Sequence, residues 1–163
     1  MNHRAFTLIE VMVVTVLMVI TTVMIIPTMD SPERSYLQAG LGLVISDLDY
    51  AQATAISNPD QLTLVRFDPT ASHWWVAPES APDTPYVKEY TGEPFDTYMG
   101  EGRASMAQRV TFVVTGMVNN QIEYDAFGRL NQQTIASIVL TCDTEQAMIT
   151  IDPETGFLCA TTP

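Results

Sequence analysis

Apolar residues fill one block near the start of the chain and then give way to shorter, regularly spaced runs. Within residues 6–26 the only charged residue is Glu10. An apolar helix of about 20 residues can cross a bilayer core, whereas a cleaved secretory signal has a shorter apolar region that ends at a small-residue cleavage site. The block therefore predicts a transmembrane helix that stays in the mature protein, with Arg4 on the cytoplasmic side and the body of the chain exported.

A second helix is predicted behind the first. From Leu37 to Ala55 apolar residues recur at alternating spacings of 4 and 3, which is the period of one helix face. Asn58-Pro59 ends this helix, because a residue before proline is pushed out of helical geometry. We expect the apolar face to cover a sheet.

Two prolines interrupt the helical region. Pro27 lies inside the continuous pattern, where a proline removes a hydrogen bond and clashes with the preceding turn. Pro32 follows Ser31, and this pair starts a new helix because Ser is a good N-cap and Pro suits the first helical position. We therefore predict a helix that is bent or interrupted at Pro27 and Pro32.

Short strands and turns make up the rest of the chain. The candidate strands are residues 61–68, 73–77, 86–90, 110–115, 121–124, 135–141, 147–151 and 157–160. Asp68-Pro69 predicts a hairpin between the first two. Residues 77–104 contain four of the ten prolines and predict a long exposed loop around one short strand. Helices followed by strands indicate an α+β fold, with a long N-terminal helix packed on an antiparallel sheet head.

The charge balance excludes one class of function. The chain has 7 Lys+Arg and 19 Asp+Glu, a net charge of -12, and only Glu10 among the acids precedes Pro27. Nucleic-acid binding depends on basic residues that neutralise phosphates, so an acidic body repels DNA and RNA. We expect no nucleic-acid partner.

No motif for catalysis or metal binding stands out. The sequence has no Gly-X-Ser-X-Gly, no phosphate loop, no His-Glu-X-X-His and no EF-hand spacing. His73 stands beside Trp74 and Trp75, where strand packing is its expected role. Alternation along a strand predicts one tryptophan in the core and the other facing solvent or a partner. We expect no catalytic residue, no metal and no cofactor, and the protein is not expected to be an enzyme.

The start of the apolar block carries a specific resemblance. Residues 5–14 read Ala-Phe-Thr-Leu-Ile-Glu-Val-Met-Val-Val, which closely resembles the processing and methylation motif of type IV pilins and type II secretion pseudopilins. The resemblance implies that a prepilin peptidase cuts between Ala5 and Phe6, that Phe6 becomes the methylated terminus, and that Glu10 pairs with the terminal amine of a neighbouring subunit during assembly. Pro27 also lies where many members have a helix-bending proline. Most members have Gly in place of Ala5, a departure expected to slow processing.

The body resembles the H-type minor pseudopilins in the order of its motifs, at residues 48–56, 74–76, 122–128 and 149–156. The resemblance implies a leader at residues 1–5, a transmembrane and assembly helix at 6–29, an amphipathic half-helix at 30–57 and a β-rich head at 58–163. It implies a structural subunit of a secretion pseudopilus in the inner membrane, with a periplasmic head. The implied partners are other pilin-like subunits, the prepilin peptidase and the inner-membrane assembly platform.

The two cysteines, Cys142 and Cys159, form a candidate disulfide. The predicted strands place both toward the same end of a three-stranded meander. In the oxidising compartment of an exported head, a disulfide is favoured over two free thiols.

Two other functions stay open from the sequence. A minor type IV pilin for adhesion, motility or DNA uptake would share the N-terminal motif, but a DNA-capturing head needs basic residues and none follows Arg129. A membrane-anchored exported enzyme or ligand-binding domain would also begin with an apolar anchor.

Overall fold

Two helices precede all the strands. The computed structural model describes residues 7–24, 31–88 and 91–162, and within residues 21–24 only the backbone. Helix α1 is Leu8–Met24 and helix α2 is Pro32–Ser57. The chain divides into two compact units, the first containing α1 and the second beginning at Pro32.

The predicted membrane span is described only in part, because residue 6 and residues 25–26 lie outside the described ranges. None of the helices in the described part of the chain is long and apolar enough to cross a membrane. The predicted kink at Pro27 also lies outside the described residues, whereas Pro32 is the first residue of α2 as expected.

Helix α2 is the centre of the second unit. The six apolar positions of its predicted stripe are all buried: Leu37, Leu41, Val44, Leu48, Ala51 and Ala55. The prediction of a buried face is confirmed, because a spacing of three and four residues places these side chains on one side of the helix. Gly40 and Asp47 are buried on the same helix and were not predicted.

The head contains two antiparallel sheets rather than a single one. Its strands are β1 Thr63–Asp68, β2 His73–Pro78, β3 Asp96–Tyr98, β4 Thr111–Thr115, β5 Gln121–Tyr124, β6 Ala136–Cys142, β7 Glu145–Ile151 and β8 Leu158–Thr161. The first sheet has the order β3-β2-β1-β5 and the second β4-β6-β7-β8. Helix α2 contacts strands of both sheets, so one core joins the three layers. The α+β fold class is confirmed.

The predicted strand at 86–90 does not form in its described part, residues 86–88. Within its described part only one bridge forms, between Val87 and Pro94. The third strand of the first sheet is instead β3, which pairs with β2 through Trp75 and Asp96. A three-residue strand of sequence Asp-Thr-Tyr has too few apolar residues to show a period, which is why the sequence did not predict it.

The described parts of the proline-rich segment 77–104, residues 77–88 and 91–104, do not project into solvent as a free loop. Its backbone bonds to the first sheet, where the amide of Glu79 donates to the Leu62 carbonyl at 2.9 Å and that of Tyr86 to the Val76 carbonyl at 2.8 Å. The Phe95 ring stacks on Tyr50 of α2 with 4.1 Å between ring centroids. Prolines supply turns here, but hydrogen bonds and stacking hold the segment against the head.

The expected disulfide is not formed. Cys142 is free and buried, and Cys159 is free and exposed. Along β7 the partner of Cys142 is Glu145 and the partner of Cys159 is Thr150. At about 3.4 Å per residue, five residues separate the two thiols by roughly 17 Å along the strands alone. A disulfide needs Cα atoms within about 7 Å, so the cysteines lie at opposite ends of the meander and cannot bridge.

Candidate assembly surfaces

The first turn of α1 is closed by a side-chain cap. The Thr7 hydroxyl accepts the amide hydrogen of Glu10 at 3.3 Å, and Leu8 is the first helical residue. Thr and Glu three residues apart are the sequence pattern of a capping box, and an acid in the first turn is favoured by the helix dipole. Glu10 is exposed. The predicted assembly carboxylate therefore lies on a capped first turn.

The described side chains of α1 form an apolar surface. Every residue from Leu8 to Ile20 is exposed, and Glu10 and Thr15 are its only polar members. The Thr15 hydroxyl donates to the backbone carbonyls of Val11 at 3.1 Å and Met12 at 2.9 Å, which masks its polarity within the helix. Apolar exposure of this extent marks a surface that a membrane or another protein covers.

A buried polar network fastens segment 77–104 to α2. Asp47 accepts a hydrogen bond from Trp74 Nε1 at 2.8 Å and is ion-paired with Arg103. Arg103 Nε also donates to Thr97 Oγ1 at 2.8 Å. Buried charges are tolerated when paired and hydrogen-bonded. Asp47 therefore ties α2 to β2, to β3 and to the 3₁₀ turn at Gly102–Ala104.

The two tryptophans lie on opposite faces of β2, as predicted. Trp74 is buried in the core, whereas Trp75 is half-buried and faces away from it. His73 stacks against Trp75 with ring centroids 4.8 Å apart and against Tyr98 at 3.9 Å, and it contacts Asp96. His73 thus belongs to an aromatic row on the outer face of the first sheet, which fits the strand-packing role expected of it.

The end of α2 is clamped by two glycine turns. Gln52 Nε2 donates to the Gly128 carbonyl at 2.7 Å and to the Thr155 carbonyl at 3.3 Å. Gly128 and Gly156 have φ of 77° and 68°, and a Cβ on Gly156 would overlap the Gly128 carbonyl. Only glycine combines these torsions with such a close approach. Three of the sequence motifs that resemble H-type pseudopilins, at residues 48–56, 122–128 and 149–156, meet at this clamp.

Hydrogen bonds to the Asp125 carboxylate hold the turn that contains Gly128. Burial opposes ionisation of Asp125, but hydrogen bonds from the amides of Arg129 and Phe127 and the Arg129 side chain outweigh it, so the pKa of Asp125 is lowered. The Asp125 carboxylate accepts from the Phe127 amide at 2.8 Å and from the Arg129 amide at 2.9 Å. This charged Asx turn presents Phe127 outward as an exposed side chain.

We predict that Gly156→Ala lowers the free energy of unfolding by about 2 kcal/mol or more, because alanine at positive φ is strained and its Cβ must push the two turns apart. The matched control is Gly42→Ala on α2, where a Cβ meets no atom within 4 Å. That change should raise stability by about 0.5–1 kcal/mol through helix propensity alone. Urea titration followed by tryptophan fluorescence measures both, and equal midpoints for the two variants would contradict the clamp.

The structure tests some predicted site residues and not others. Ala5 and Phe6 lie outside the described residues. Burial raises the pKa of the Cys142 thiol, and Asp143 adds to the effect, so this thiol stays protonated.

Across residues 7–24, 31–88 and 91–162, no three His, Cys, Asp or Glu side chains are grouped so that they could hold a metal ion.

Three structural residues were missed in the sequence. Thr7 was signalled by its Thr-X-X-Glu spacing to Glu10. Asp47 lies next to Leu48 of the apolar stripe, but no local pattern in the sequence identified Arg103 as its partner. Gln52 gave no local signal, because the turns that it reaches are 76 and 103 residues away in the sequence.

Comparison with known proteins places the fold. No protein-family model and no curated protein matches the sequence. Among solved structures, the minor pseudopilin EpsH of the Vibrio cholerae Type 2 Secretion System matches with a TM-score of 0.54 and 16% identity, over 80% of this chain and 98% of that one. The Pseudomonas aeruginosa type IV minor pilin FimU matches with a TM-score of 0.53 and 16% identity, over 80% of this chain and 95% of that one. E. coli GspH matches with a TM-score of 0.51 and 11% identity, over 83% of this chain and 94% of that one. The chain has the fold of the type IV pilins and pseudopilins.

Proposed function

We propose that this chain is a minor pseudopilin, a structural subunit of a type II secretion pseudopilus. The observation that carries the proposal is the conjunction of two features at different ends of the chain. The N-terminal Ala5-Phe6-Thr7-Leu8-Ile9-Glu10 motif precedes an exposed apolar helix, and the head has the fold of EpsH and FimU. Neither feature derives from the other, yet both belong to pilin-like subunits.

The proposed mechanism is assembly rather than catalysis. A prepilin peptidase removes residues 1–5, and Phe6 becomes the N-methylated terminus. Thr7 caps α1 immediately behind that terminus, so the Glu10 carboxylate lies on the first helical turn. In an apolar surrounding, its attraction to the terminal amine of a neighbouring subunit is strengthened. The apolar surface of α1 then leaves the bilayer and packs among the helices of the filament, guided by the inner-membrane assembly platform.

In this proposal the protein is a single-pass inner-membrane protein before assembly. Its N-terminus is cytoplasmic until processing, and its head lies in the periplasm. The acidic head makes polar contacts with other pilin-like subunits. A net charge of -12 makes nucleic acid a poor ligand for it.

The experiment is mass spectrometry of the membrane-extracted protein. We expect a chain that begins at Phe6 and carries one methyl group at its terminus. A chain that still begins at Met1 in cells with an active prepilin peptidase would overturn the proposal. An Ala5→Gly variant serves as the reference for processing rate, because it restores the residue common in the family.

The second candidate is a minor type IV pilin, favoured by the match to FimU. The same N-terminal mass is expected for both candidates. Deletion of the gene separates them: a pseudopilin mutant loses secretion of exported proteins and keeps surface pili, whereas a pilin mutant loses the pili.

A further inference from the structure

His73 lies between two aromatic rings on the outer face of the first sheet. Its imidazole stacks on Tyr98 with 3.9 Å between ring centroids and on Trp75 with 4.8 Å. The imidazole Nε2 contacts the carboxylate of Asp96. The pairing of β2 with β3 produces this arrangement, because it places Tyr98 opposite His73 and Asp96 opposite Trp75. The His73 side chain is only 14% exposed, so two rings and a carboxylate enclose it.

The two protonation states of His73 make different contacts in this position. The neutral imidazole can stack and can share one hydrogen bond with Asp96. The imidazolium forms an ion pair with that carboxylate, and it places a positive charge beside the faces of Trp75 and Tyr98, which attract cations. Enclosure removes water from the charged ring, but the carboxylate takes the place of that water. Protonation therefore adds attractions and loses none of the stacking.

Asp68 on β1 adds a second negative charge. It lies opposite His73 in the register of β1 and β2. The pKa of Asp68 is lowered chiefly by the hydrogen bond from the Thr70 hydroxyl, and the positive charge of His73 also lowers it. Coupling between two charges is reciprocal, so an ionised Asp68 favours a protonated His73 in return.

One positive charge faces the same aromatic row, and it is already neutralised. The guanidinium of Arg66 lies over the Trp75 ring, 5.6 Å from its centroid, and is paired with Asp83. Strand β2 itself has no charged residue besides His73. The charges that face the imidazole are thus two carboxylates and one paired guanidinium, and together they favour the cation.

Strand β3 has few residues with which to hold its place. It is the edge strand of the first sheet and pairs with β2 over three residues. Thr97 is buried and accepts a hydrogen bond from Arg103 Nε. The other two side chains of β3, those of Asp96 and Tyr98, both contact His73. A change in the charge of His73 therefore acts on both outer side chains of β3.

We propose that His73 is a pH-sensitive contact that holds β3 against β2 more firmly when its imidazole is protonated. Because the folded head binds this proton more tightly than the unfolded chain does, the added stability is complete in mildly acidic solution and is lost as the pH rises and the ring becomes neutral. The proposal concerns the head alone and goes beyond the proposed function. The mass of the N-terminus and the variants of Glu10 test that function, so failure of one proposal leaves the other standing.

The test compares the full chain with its His73→Gln variant in detergent micelles. Glutamine keeps hydrogen-bonding groups but cannot become charged, and every carboxylate is common to both proteins, so the difference between them isolates His73. Urea unfolding followed by near-ultraviolet circular dichroism gives the unfolding equilibrium constant of the variant divided by that of the unaltered chain. We expect this ratio to rise at least about fivefold between about pH 8 and about pH 5.5, the range in which histidine titrates. His73→Phe keeps the ring stacking without a proton, and the same rise is expected for it.

Two further variants identify the partner of the protonated ring. Asp96→Asn keeps the size of the side chain and removes the charge that contacts His73. Asp83→Asn removes the same charge from a carboxylate that pairs with Arg66 instead. We expect the pH-dependent rise to fall at least about threefold in the Asp96→Asn background and to be largely kept in the Asp83→Asn background.

Two results would overturn the proposal. One is a ratio that stays constant across this pH range for both His73→Gln and His73→Phe, which would leave His73 with a packing role alone. The other is a rise that Asp96→Asn leaves unchanged, which would assign the proton-dependent contact to another group.

Discussion

Asp47→Ala is expected to lower the free energy of unfolding of the head by about 3 kcal/mol. The change leaves the Trp74 indole N–H buried without an acceptor and leaves Arg103 without its carboxylate. Removing one partner of a buried ion pair costs about 3–5 kcal/mol, and the lower end applies here because the Arg103 side chain is 28% exposed and can recover some water. The urea midpoint should fall by roughly 1.5–2 M at a typical slope for small domains.

Two further variants distinguish the possible causes of this loss of stability. Asp47→Asn keeps an acceptor for Trp74 and should cost less than alanine. The double variant Asp47→Leu with Arg103→Met replaces the ion pair by apolar side chains of similar size, an exchange that is often close to neutral. If the double variant were as unstable as Asp47→Ala, the loss would come from the Trp74 N–H without its acceptor or from packing around position 47, and not from an unpaired charge.

Glu10→Val is expected to remove the subunit from assembled filaments while the head stays folded. Truncating one partner of a desolvated charge pair costs about 2 kcal/mol or more, which corresponds to at least a tenfold loss of incorporation. The variant should still be made, processed and held in the membrane. Quantitative immunoblotting of the sheared filament fraction against the membrane fraction measures the effect, which rests on the proposed pairing of Glu10 with a methylated Phe6.

Thr15→Val is the matched control for Glu10→Val. Both changes remove the polar group of an exposed residue of α1, but the Thr15 hydroxyl bonds only to carbonyls of its own helix. Losing it leaves no group of a neighbouring subunit without a partner, so incorporation should match that of the unaltered chain. Normal incorporation of Glu10→Val would argue that the carboxylate has no part in assembly.

The sequence was most informative where a pattern is local and repeated. The stripe from Leu37 to Ala55 repeats at the helical period over five turns, and all of its members are buried. The hairpin at Asp68-Pro69 joins β1 to β2 as expected, with Asp68 opposite His73. In both cases the residues that determine the structure are close together in the chain, so no knowledge of the tertiary fold was needed.

The sequence was least informative where distant segments meet. The pairing of Asp47 with Arg103 and the reach of Gln52 to Gly128 join residues 56 and 76 positions apart. Strand β3 has too few residues to show a period and is held by Arg103 through Thr97. Such features depend on how the sheets close around α2, which local propensity does not encode.

The two cysteines show how one topological step can reverse a prediction. The predicted strands located both cysteines correctly along the chain. In an antiparallel meander, however, successive turns lie at opposite ends of the sheet. Cys142 precedes the first turn of the β6-β7-β8 meander, whereas Cys159 follows the second. Counting turns, rather than strand ends, would have separated them.

That separation has a consequence for how the protein matures. With no covalent link to form, the head reaches its native structure without any oxidation step, and thiol exchange sets neither the rate nor the yield of folding. Folding of the head should therefore not depend on the redox potential of the compartment in which it takes place. Reductants should likewise not shorten the lifetime of the folded head, because the apolar stripe, the buried carboxylate of Asp47 and the glycine turns stabilise it.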